Sequence, residues 1–370
     1  LRERRLGFFY SRPIRPASFW FGEVFFGWLF TLLFAAVILL TRVPVLLAGV
    51  LAVTVVGTTP PPTAEALWRV SSNEVANLLA RWDTAFYYSI AADGYGWNPA
   101  SFSHQNVVFF PLYPLMMRWG GALLGGQPLV AGLVVSLLAF SGAIVLLHRL
   151  AVLELGEERA QSAVVLLATF PYALFYSVVY TESLFLLLTV GAFYAMKRGR
   201  LSAVAACGLA AGLARPNGFW LALSLACLAF ADRRRPMAYV AAFAPVLGVA
   251  LFSFYLFARF GDALAWVHGQ AAWGNLLVGQ FPAPDPAPLP GEPAIKLTEV
   301  AAWIGNIAAF GVAAAAILPV WRQLGLAYAV YAYQQFFQAA GVAGVYVGTQ
   351  PATAIWMAKV TIAAIVTVAV

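Results

Sequence analysis

Long apolar runs separated by short polar segments dominate the pattern of hydrophobic positions along this chain. About ten runs are present, at 24–41, 127–147, 160–178, 183–196, 201–214, 218–231, 237–257, 299–320, 324–346 and 352–370. A helix needs about 20 apolar residues to cross a bilayer. The runs are continuous and do not alternate with polar residues, which disfavours a β-barrel. The pattern predicts an all-α polytopic membrane protein with about ten transmembrane or part-spanning helices, the short ones being tilted, broken or re-entrant.

Basic residues are unevenly distributed over the loops between these runs. If the N-terminus is cytoplasmic, the inside loops hold fourteen Lys and Arg residues and the outside loops hold six, which agrees with the positive-inside rule. A hairpin around Arg42 and Pro44 is the alternative for residues 24–57, and it would reverse the orientation of everything that follows. We favour a single span because the hairpin opposes the charge bias. The favoured orientation predicts a first extracytoplasmic loop at 58–126 and a second large outer loop at 259–298.

The composition supports a membrane protein and argues against a soluble one. Hydrophobic residues make up 62% of the 370 residues and charged residues 10%, and the mean hydropathy is +0.81. A soluble domain carries about 25% charged residues, so this chain cannot cover a water-facing surface. The net charge of +7 gives no support to nucleic-acid binding, because the basic residues lie in short loops. We expect a single transmembrane domain over residues 1–370 in the plasma membrane.

The unusual polar residues fall on the predicted outer face, in the two outer loops and in short turns at 180–183 and 214–218. A site facing the periplasm or the cell exterior is therefore expected. The first outer loop has apolar residues at helical spacing over 73–92, and an apolar stretch with two prolines over 109–117. These patterns predict helices in the loop, the second lying against the bilayer surface.

Asp83 is the strongest candidate for chemistry. It directly follows Arg81 and Trp82, and Tyr87 lies one helical turn further on. Partial burial makes a carboxylate more basic, and aromatic rings form platforms on which sugars stack. The structural alternative is a helix cap or a salt bridge with Arg81. We favour Asp83 as a catalytic base for a sugar hydroxyl, with Arg81, Trp82 and Tyr87 contacting the substrate.

Two short outer turns supply a second acid and a cation. Glu182 begins an apolar run, where it either contacts substrate or simply compensates the helix dipole. Arg215 lies between two short apolar runs, and an ionisable residue at membrane level is a functional-site hypothesis by default. Its guanidinium suits bidentate phosphate binding, and snorkelling from a helix end is the alternative. We favour donor-phosphate binding by Arg215, helped by Asn217.

Other polar residues of the outer loops are weaker candidates. His104 and Gln105 precede the second predicted loop helix, and His268 lies in the second outer loop. We expect these three side chains to contact substrate, although a lone histidine is more often a structural residue. No cluster has metal-ligand spacing, so no metal site and no cofactor are predicted. Dependence on a divalent cation is left open.

Four patches, in this order, resemble GPI mannosyltransferase II, the enzyme family that adds the second mannose in GPI-anchor assembly and has bacterial relatives. They are Arg-Trp-Asp at 81–83, Ile-Ala-Ala-Asp-Gly-Tyr at 90–95 with Phe-Phe-Pro-Leu-Tyr-Pro-Leu at 109–115, Tyr-Thr-Glu-Ser-Leu-Phe at 180–185, and Gly-Leu-Ala-Arg-Pro-Asn-Gly at 212–218. The segment 260–273 resembles the next outer loop of the bacterial relatives. No motif of the family is found after about residue 300.

The resemblance implies a C-type glycosyltransferase fold with its active site on the non-cytoplasmic face. It implies a polyprenyl-phosphate sugar donor, mannose being the suggested sugar, and a lipid-linked or glycan acceptor. Asp83 matches the acidic residue that the family carries in its first outer loop. A single displacement at C1 would invert the anomeric centre. The rival interpretations are a transporter or flippase for a lipid-linked sugar and a non-enzymatic partner in cell-envelope assembly.

Overall fold

The fold is built from helices of very different lengths. The computed structural model describes residues 40–44, 46–56, 77–80, 83–101, 103–169, 171–273, 315 and 317–343, and in these residues every regular element is helical. The helices are α1 (Leu40–Val55), α2 (Thr84–Asp93), α3 (Leu112–Leu123), α4 (Pro128–Leu155), α5 (Glu157–Thr169), α6 (Glu182–Lys197), α7 (Leu201–Ala214), α8 (Gly218–Ala231), α9 (Pro236–Ala242), α10 (Ala244–Phe260), α11 (Ala265–His268) and α12 (Leu326–Ala343). Short 3₁₀ segments lie at Asn106–Val108, Pro171–Ser177 and Gly269–Trp273.

Among the described residues, two helical stretches have the length and the apolar composition needed to cross a membrane. They are α4, with 28 residues, and the continuous stretch Pro236–Phe260, with 25 residues, which contains α9 and α10. Helices α7 and α8 are apolar but shorter, with 14 residues each. Their bounds coincide with the predicted apolar runs 201–214 and 218–231, and whether each helix spans only part of a bilayer stays a prediction.

The predicted run 160–178 is wrong as a single helix. Helix α5 ends at Thr169, and a 3₁₀ segment begins at Pro171. The reason is that Pro171 has no N–H to continue the helix, and its ring disfavours helical geometry in the residue before it. The structure also has no hairpin turn at Arg42 and Pro44, because residues 40–44 are helical. The predicted run 352–370, and most of the runs 24–41 and 299–320, lie outside the described residues.

The centre of the molecule is a row of helices in the order α4, α6, α7 and α10. The contact between α7 and α10 is a backbone contact made possible by glycine. A Cβ placed on Gly212 would overlap the carbonyl oxygen of Pro245, and one placed on Gly248 would overlap the carbonyl oxygen of Leu209. Small residues allow helices to approach this closely. This contact fixes the end of α7, from which Arg215 follows.

A polar network ties four helices together at the end of the molecule where α4, α6 and α8 finish. Lys197 Nζ lies 2.9 Å from Glu154 Oε1 and 3.4 Å from Asp232 Oδ1. Arg234 donates to the carbonyl oxygen of Lys197 at 2.8 Å, and the Tyr328 hydroxyl of α12 donates to Glu154 at 3.1 Å. The basic turns predicted to be cytoplasmic therefore meet at this end, away from the polar turns at 180–183 and 214–218.

The described part of the predicted first outer loop is ordered by its own side chains. As predicted, it contains helices, α2 and α3. The segment between them is held by two hydrogen bonds of the Asn106 side-chain amide. Asn106 Oδ1 accepts from the Gly96 N–H at 3.0 Å, and its Nδ2 donates to the Gly94 carbonyl at 3.0 Å. In α3, Tyr113 and Met117 are buried while Trp119 and Leu123 are exposed. This distribution is what a helix lying on a bilayer surface requires, and that placement stays a prediction.

Candidate active site

Asp83 stands at the start of α2, where the predicted first outer loop meets the body of the protein. It is the residue before the helix, and its carbonyl oxygen accepts from the N–H groups of Phe86 and Tyr87. Its own N–H donates to the hydroxyl oxygen of Tyr180 at 3.0 Å. The residue is half-buried. The backbone of Asp83 is therefore fixed from both sides, by its helix and by a tyrosine 97 positions further along the chain.

The start of α2 is attached to the segment 178–181 that precedes α6. The Val179 N–H donates to the Leu79 carbonyl at 3.0 Å. The Thr84 hydroxyl donates to the Val179 carbonyl at 3.0 Å, and this bond is buried. Together with the bond to Asp83, these contacts fasten Leu79, Asp83 and Thr84 to the turn that carries Glu182. Sequence reasoning predicted that the two segments share a face, but not that they are directly bonded.

Thr181 connects α2 to the turn after α7. Its Oγ1 lies 3.2 Å from the Tyr87 hydroxyl and accepts from Arg215 Nη1 at 3.3 Å. The same Nη1 donates to Glu182 Oε1 at 2.7 Å. The guanidinium of Arg215 also lies over the ring of Phe185, 5.9 Å from its centroid. The predicted site residues Tyr87 and Arg215 therefore meet at one hydroxyl, and Glu182 joins them through its bond to Arg215.

The charges of this cluster act on one another. Burial lowers the pKa of Arg215, but Glu182, Tyr87 and Asp83 raise it, and the net result is a pKa above its ordinary value. The pKa of Tyr87 is raised by its burial and further by Glu182 and Asp83. Arg215 therefore stays charged and Tyr87 stays a neutral hydroxyl at physiological pH. Among the described side chains, two carboxylates and one guanidinium share the site.

The position of Arg215 follows from a tight turn between α7 and α8. A Cβ on Gly218 would come within 2.5 Å of the Ala211 carbonyl oxygen, so only glycine allows α8 to begin so close to α7. Arg215 is extended, with φ −155° and ψ 150°, as expected for a residue that precedes proline. Asn217 is half-buried and its side chain does not cap α8. Its contact with the donor stays a prediction.

The remaining candidates lie away from this cluster or outside the described residues. Arg81 and Trp82 are not among the described residues. The Gln105 amide bonds within its own loop, accepting from Asn98 N–H at 2.7 Å and donating to the Asn98 carbonyl at 2.9 Å. This geometry gives Gln105 a part in ordering the loop. Its substrate contact, like that of the exposed His104, stays a prediction.

His268 belongs to the second outer segment, which packs on the first outer loop. Its Nδ1 lies 2.8 Å from Asp262 Oδ2, and the ring is 49% exposed. The neighbouring Gly269 lies against Val107 and Val108 of the first loop. The two outer segments thus form a common surface, although no described contact joins His268 to Asp83 or Arg215. In the described part of the chain, no three His, Cys, Asp or Glu side chains are grouped as metal ligands.

Sequence reasoning missed Tyr180, Thr181 and Thr84, the residues that connect the charged ones. The available signal was the position of Tyr180 and Thr181, polar residues directly before Glu182 in a turn between two apolar runs. Their role depends on contacts with residues more than 30 positions away. Local spacing carries no information on such contacts.

The fold and the site define a helical protein with apolar helices long enough to cross a membrane and a buried charged cluster where α2 meets the turns before α6 and α8. The family described as mannosyltransferase (PIG-V) matches residues 29–234, which is more than half of the chain and includes Asp83, Glu182 and Arg215. The chain belongs to this family, so it is a membrane mannosyltransferase that uses a sugar donor and an acceptor. The resemblance to GPI mannosyltransferase II is confirmed. No curated protein and no solved structure gives a significant match.

Proposed function

We propose that this protein transfers mannose from a polyprenyl-phosphate donor to a lipid-linked or glycan acceptor on the extracytoplasmic face of the plasma membrane, with inversion at C1. The observation that carries the proposal is the meeting of Asp83, Glu182 and Arg215 at one end of the helical body. Residues 79–84 and 178–181 are bonded directly, and Arg215 is bonded to 181 and 182. These bonds keep the proposed base, Asp83, close to the proposed phosphate-binding cation, Arg215.

Arg215 is suited to the donor phosphate. In the described contacts its guanidinium uses only Nη1, for Glu182 and Thr181. Nε and Nη2 then form the edge that can bind two phosphate oxygens in parallel. The N–H groups at the start of α8, next to Arg215, add the partial positive charge of a helix N-terminus. Glu182 fixes the orientation of the guanidinium while its other edge receives the donor.

Asp83 acts as the general base in this scheme. It takes the proton of the acceptor hydroxyl while that oxygen attacks C1 on the face opposite the phosphate. The C1–O bond to the phosphate breaks, the polyprenyl phosphate leaves with the electron pair, and Arg215 stabilises its developing charge. One displacement on a β-linked donor gives an α-linked product. A general base contributes about 10²–10⁴-fold to such a step.

The test is Asp83→Asn, which keeps the size of the side chain and removes its basicity. Purified protein in liposomes is given radiolabelled polyprenyl-phosphate mannose and a membrane lipid extract, and labelled product is separated from donor. We expect turnover to fall at least about 100-fold with no change in thermal unfolding. Asp93→Asn is the matched control, because Asp93 is an exposed carboxylate at the other end of α2.

Two outcomes would overturn the proposal. If Asp83→Asn turns over like the wild type, Asp83 is not the base. If the labelled donor crosses the liposome membrane and no labelled product forms, the protein is a transporter or flippase.

A further inference from the structure

Tyr180 is fixed more firmly than a residue in a short turn needs to be. Its side chain is only 3% exposed. Its ring packs edge to face against Tyr87 at 6.0 Å and Phe175 at 5.4 Å between centroids. Its carbonyl oxygen accepts from the hydroxyl of Ser136 in α4 at 3.2 Å. The hydroxyl of Tyr180 is therefore held at a defined place by α2, α4 and its own turn, and at that place it meets the N–H of Asp83.

The bond from the Asp83 N–H to this hydroxyl controls where the carboxylate lies. The first N–H groups of a helix have no partner within the helix and take their position from whatever group accepts them. Asp83 precedes α2 and does not use its side chain as a cap for the helix. Its backbone orientation, and with it the direction of the Cα–Cβ bond, is set jointly by the helix, which bonds its carbonyl, and by the external acceptor of its N–H. A misplacement of a reacting group by about 1 Å can cost about 100-fold in rate.

We propose that Tyr180 is a positioning residue for catalysis: its hydroxyl, anchored through Ser136 and the packed ring, holds the backbone of Asp83 so that the carboxylate faces the acceptor hydroxyl. This inference rests on the proposed function, because it needs Asp83 to be the base. It assigns Tyr180 no contact with substrate. It also explains why a tyrosine directly precedes Thr181 and Glu182, which bind Arg215: one turn sets the positions of both the base and the cation.

The test uses Tyr180→Phe, which removes the hydroxyl and keeps the ring packing. We expect kcat to fall about 10- to 100-fold while KM for polyprenyl-phosphate mannose stays within about twofold, because Arg215 and its partners are untouched. Tyr328→Phe is the matched control. It also removes one tyrosine hydroxyl bond, the 3.1 Å bond to Glu154. Glu154 lies about 27 Å along α4 from Ser136, at a rise of about 1.5 Å per residue. A purely structural loss would lower the unfolding temperature of both variants and change kcat in neither.

A double variant of Tyr180 and Asp83 distinguishes a failure of this inference from a failure of the proposed function. In an Asp83→Asn background, Tyr180→Phe should reduce the residual rate no further, because the group that Tyr180 positions is already inactive. Hydrogen exchange of peptides covering 79–88 should be faster in Tyr180→Phe than in the wild type and unchanged in Tyr328→Phe.

A wild-type kcat for Tyr180→Phe, or an equal rate loss in both backgrounds, overturns the positioning role and leaves the base assignment standing. If the exchange rate over 79–88 stays at the wild-type value, Tyr180 does not hold this segment and the inference also fails. Full activity of Asp83→Asn alone removes the base itself, which is a different result.

Discussion

Removing either partner of the Glu182–Arg215 ion pair should destabilise the protein, and the two losses should be unequal. The pair is short, 2.7 Å from Nη1 to Oε1, and its side chains are 20% exposed for Arg215 and 8% for Glu182. Breaking a buried ion pair by removing one partner costs about 3–5 kcal/mol, because the remaining charge is left without compensation. The surroundings of the pair indicate whether the loss of Glu182 or the loss of Arg215 costs more.

Asp83 makes the difference between the two variants. It lies close enough to raise the pKa of Arg215, after the larger effects of burial, Glu182 and Tyr87. In Glu182→Gln the guanidinium therefore keeps one nearby carboxylate, and we expect a loss of about 3 kcal/mol. Arg215→Met removes the cation that is bonded to Glu182 and that also interacts electrostatically with Asp83, so two carboxylates lose its stabilising charge and we expect about 5 kcal/mol. The double variant Glu182→Gln/Arg215→Met removes one of these carboxylates and should be more stable than Arg215→Met alone.

The assay is thermal unfolding of the purified variants in one detergent, without donor, so that substrate binding does not contribute. The expected order of unfolding temperature is wild type, Glu182→Gln and then Arg215→Met, with the double variant above Arg215→Met. Lys197→Met, which breaks the ion pairs at the opposite end, reports the cost of losing a charge elsewhere in the fold. An Arg215→Met protein as stable as the wild type, or a double variant at the sum of the two single losses, would show that the pair is not a coupled buried unit.

Two further predictions concern the elements that carry the site. Gly212→Val should prevent the close approach of α7 and α10, because a Cβ there overlaps the Pro245 carbonyl. Overpacking of this kind costs about 1–3 kcal/mol or more, and the loss is measured as a lower unfolding temperature. Gly142→Ala is its control, since the Cβ meets only the tip of Leu187 at 3.1 Å. Asn106→Asp removes the N–H donor to the Gly94 carbonyl. Proteolysis and hydrogen exchange over 94–106 should then be faster. Unchanged protection of this segment would contradict the role of the Asn106 amide.

The bounds of α7 and α8 could be predicted from the sequence because charges mark them. Arg200 precedes α7, Arg215 follows it, and Asp232 follows α8. A charged residue at the end of an apolar run is a strong local signal, since an ionised group is costly in hydrocarbon. The end of α5 was misplaced for the opposite reason. Pro171 sits inside an apolar run, and hydropathy alone does not register the N–H group that proline lacks.

Part of the site could be predicted because charged residues between apolar runs are a local signal in the sequence. Asp83, Glu182 and Arg215 stand out as charged residues between apolar runs on one predicted face, and the structure brings them together. Their partners could not be predicted. Glu182 and Arg215 are 33 positions apart, and the sequence gives no reason to prefer an ion pair between them over two separate substrate contacts. Only the packing of α6 against α7 makes them neighbours.

The contacts also explain why Asp83 and not Glu182 is the candidate base. Glu182 is buried and holds Arg215 at 2.7 Å. If it took up a proton, this ion pair would be lost and a largely buried guanidinium would lose its nearest counter-charge, a change that costs several kcal/mol. The described bonds of Asp83 run through its backbone N–H and carbonyl, and protonation of its carboxylate leaves those bonds in place. A carboxylate whose protonation keeps the 2.7 Å pair between Glu182 and Arg215 intact is the better candidate to accept the proton of the attacking hydroxyl.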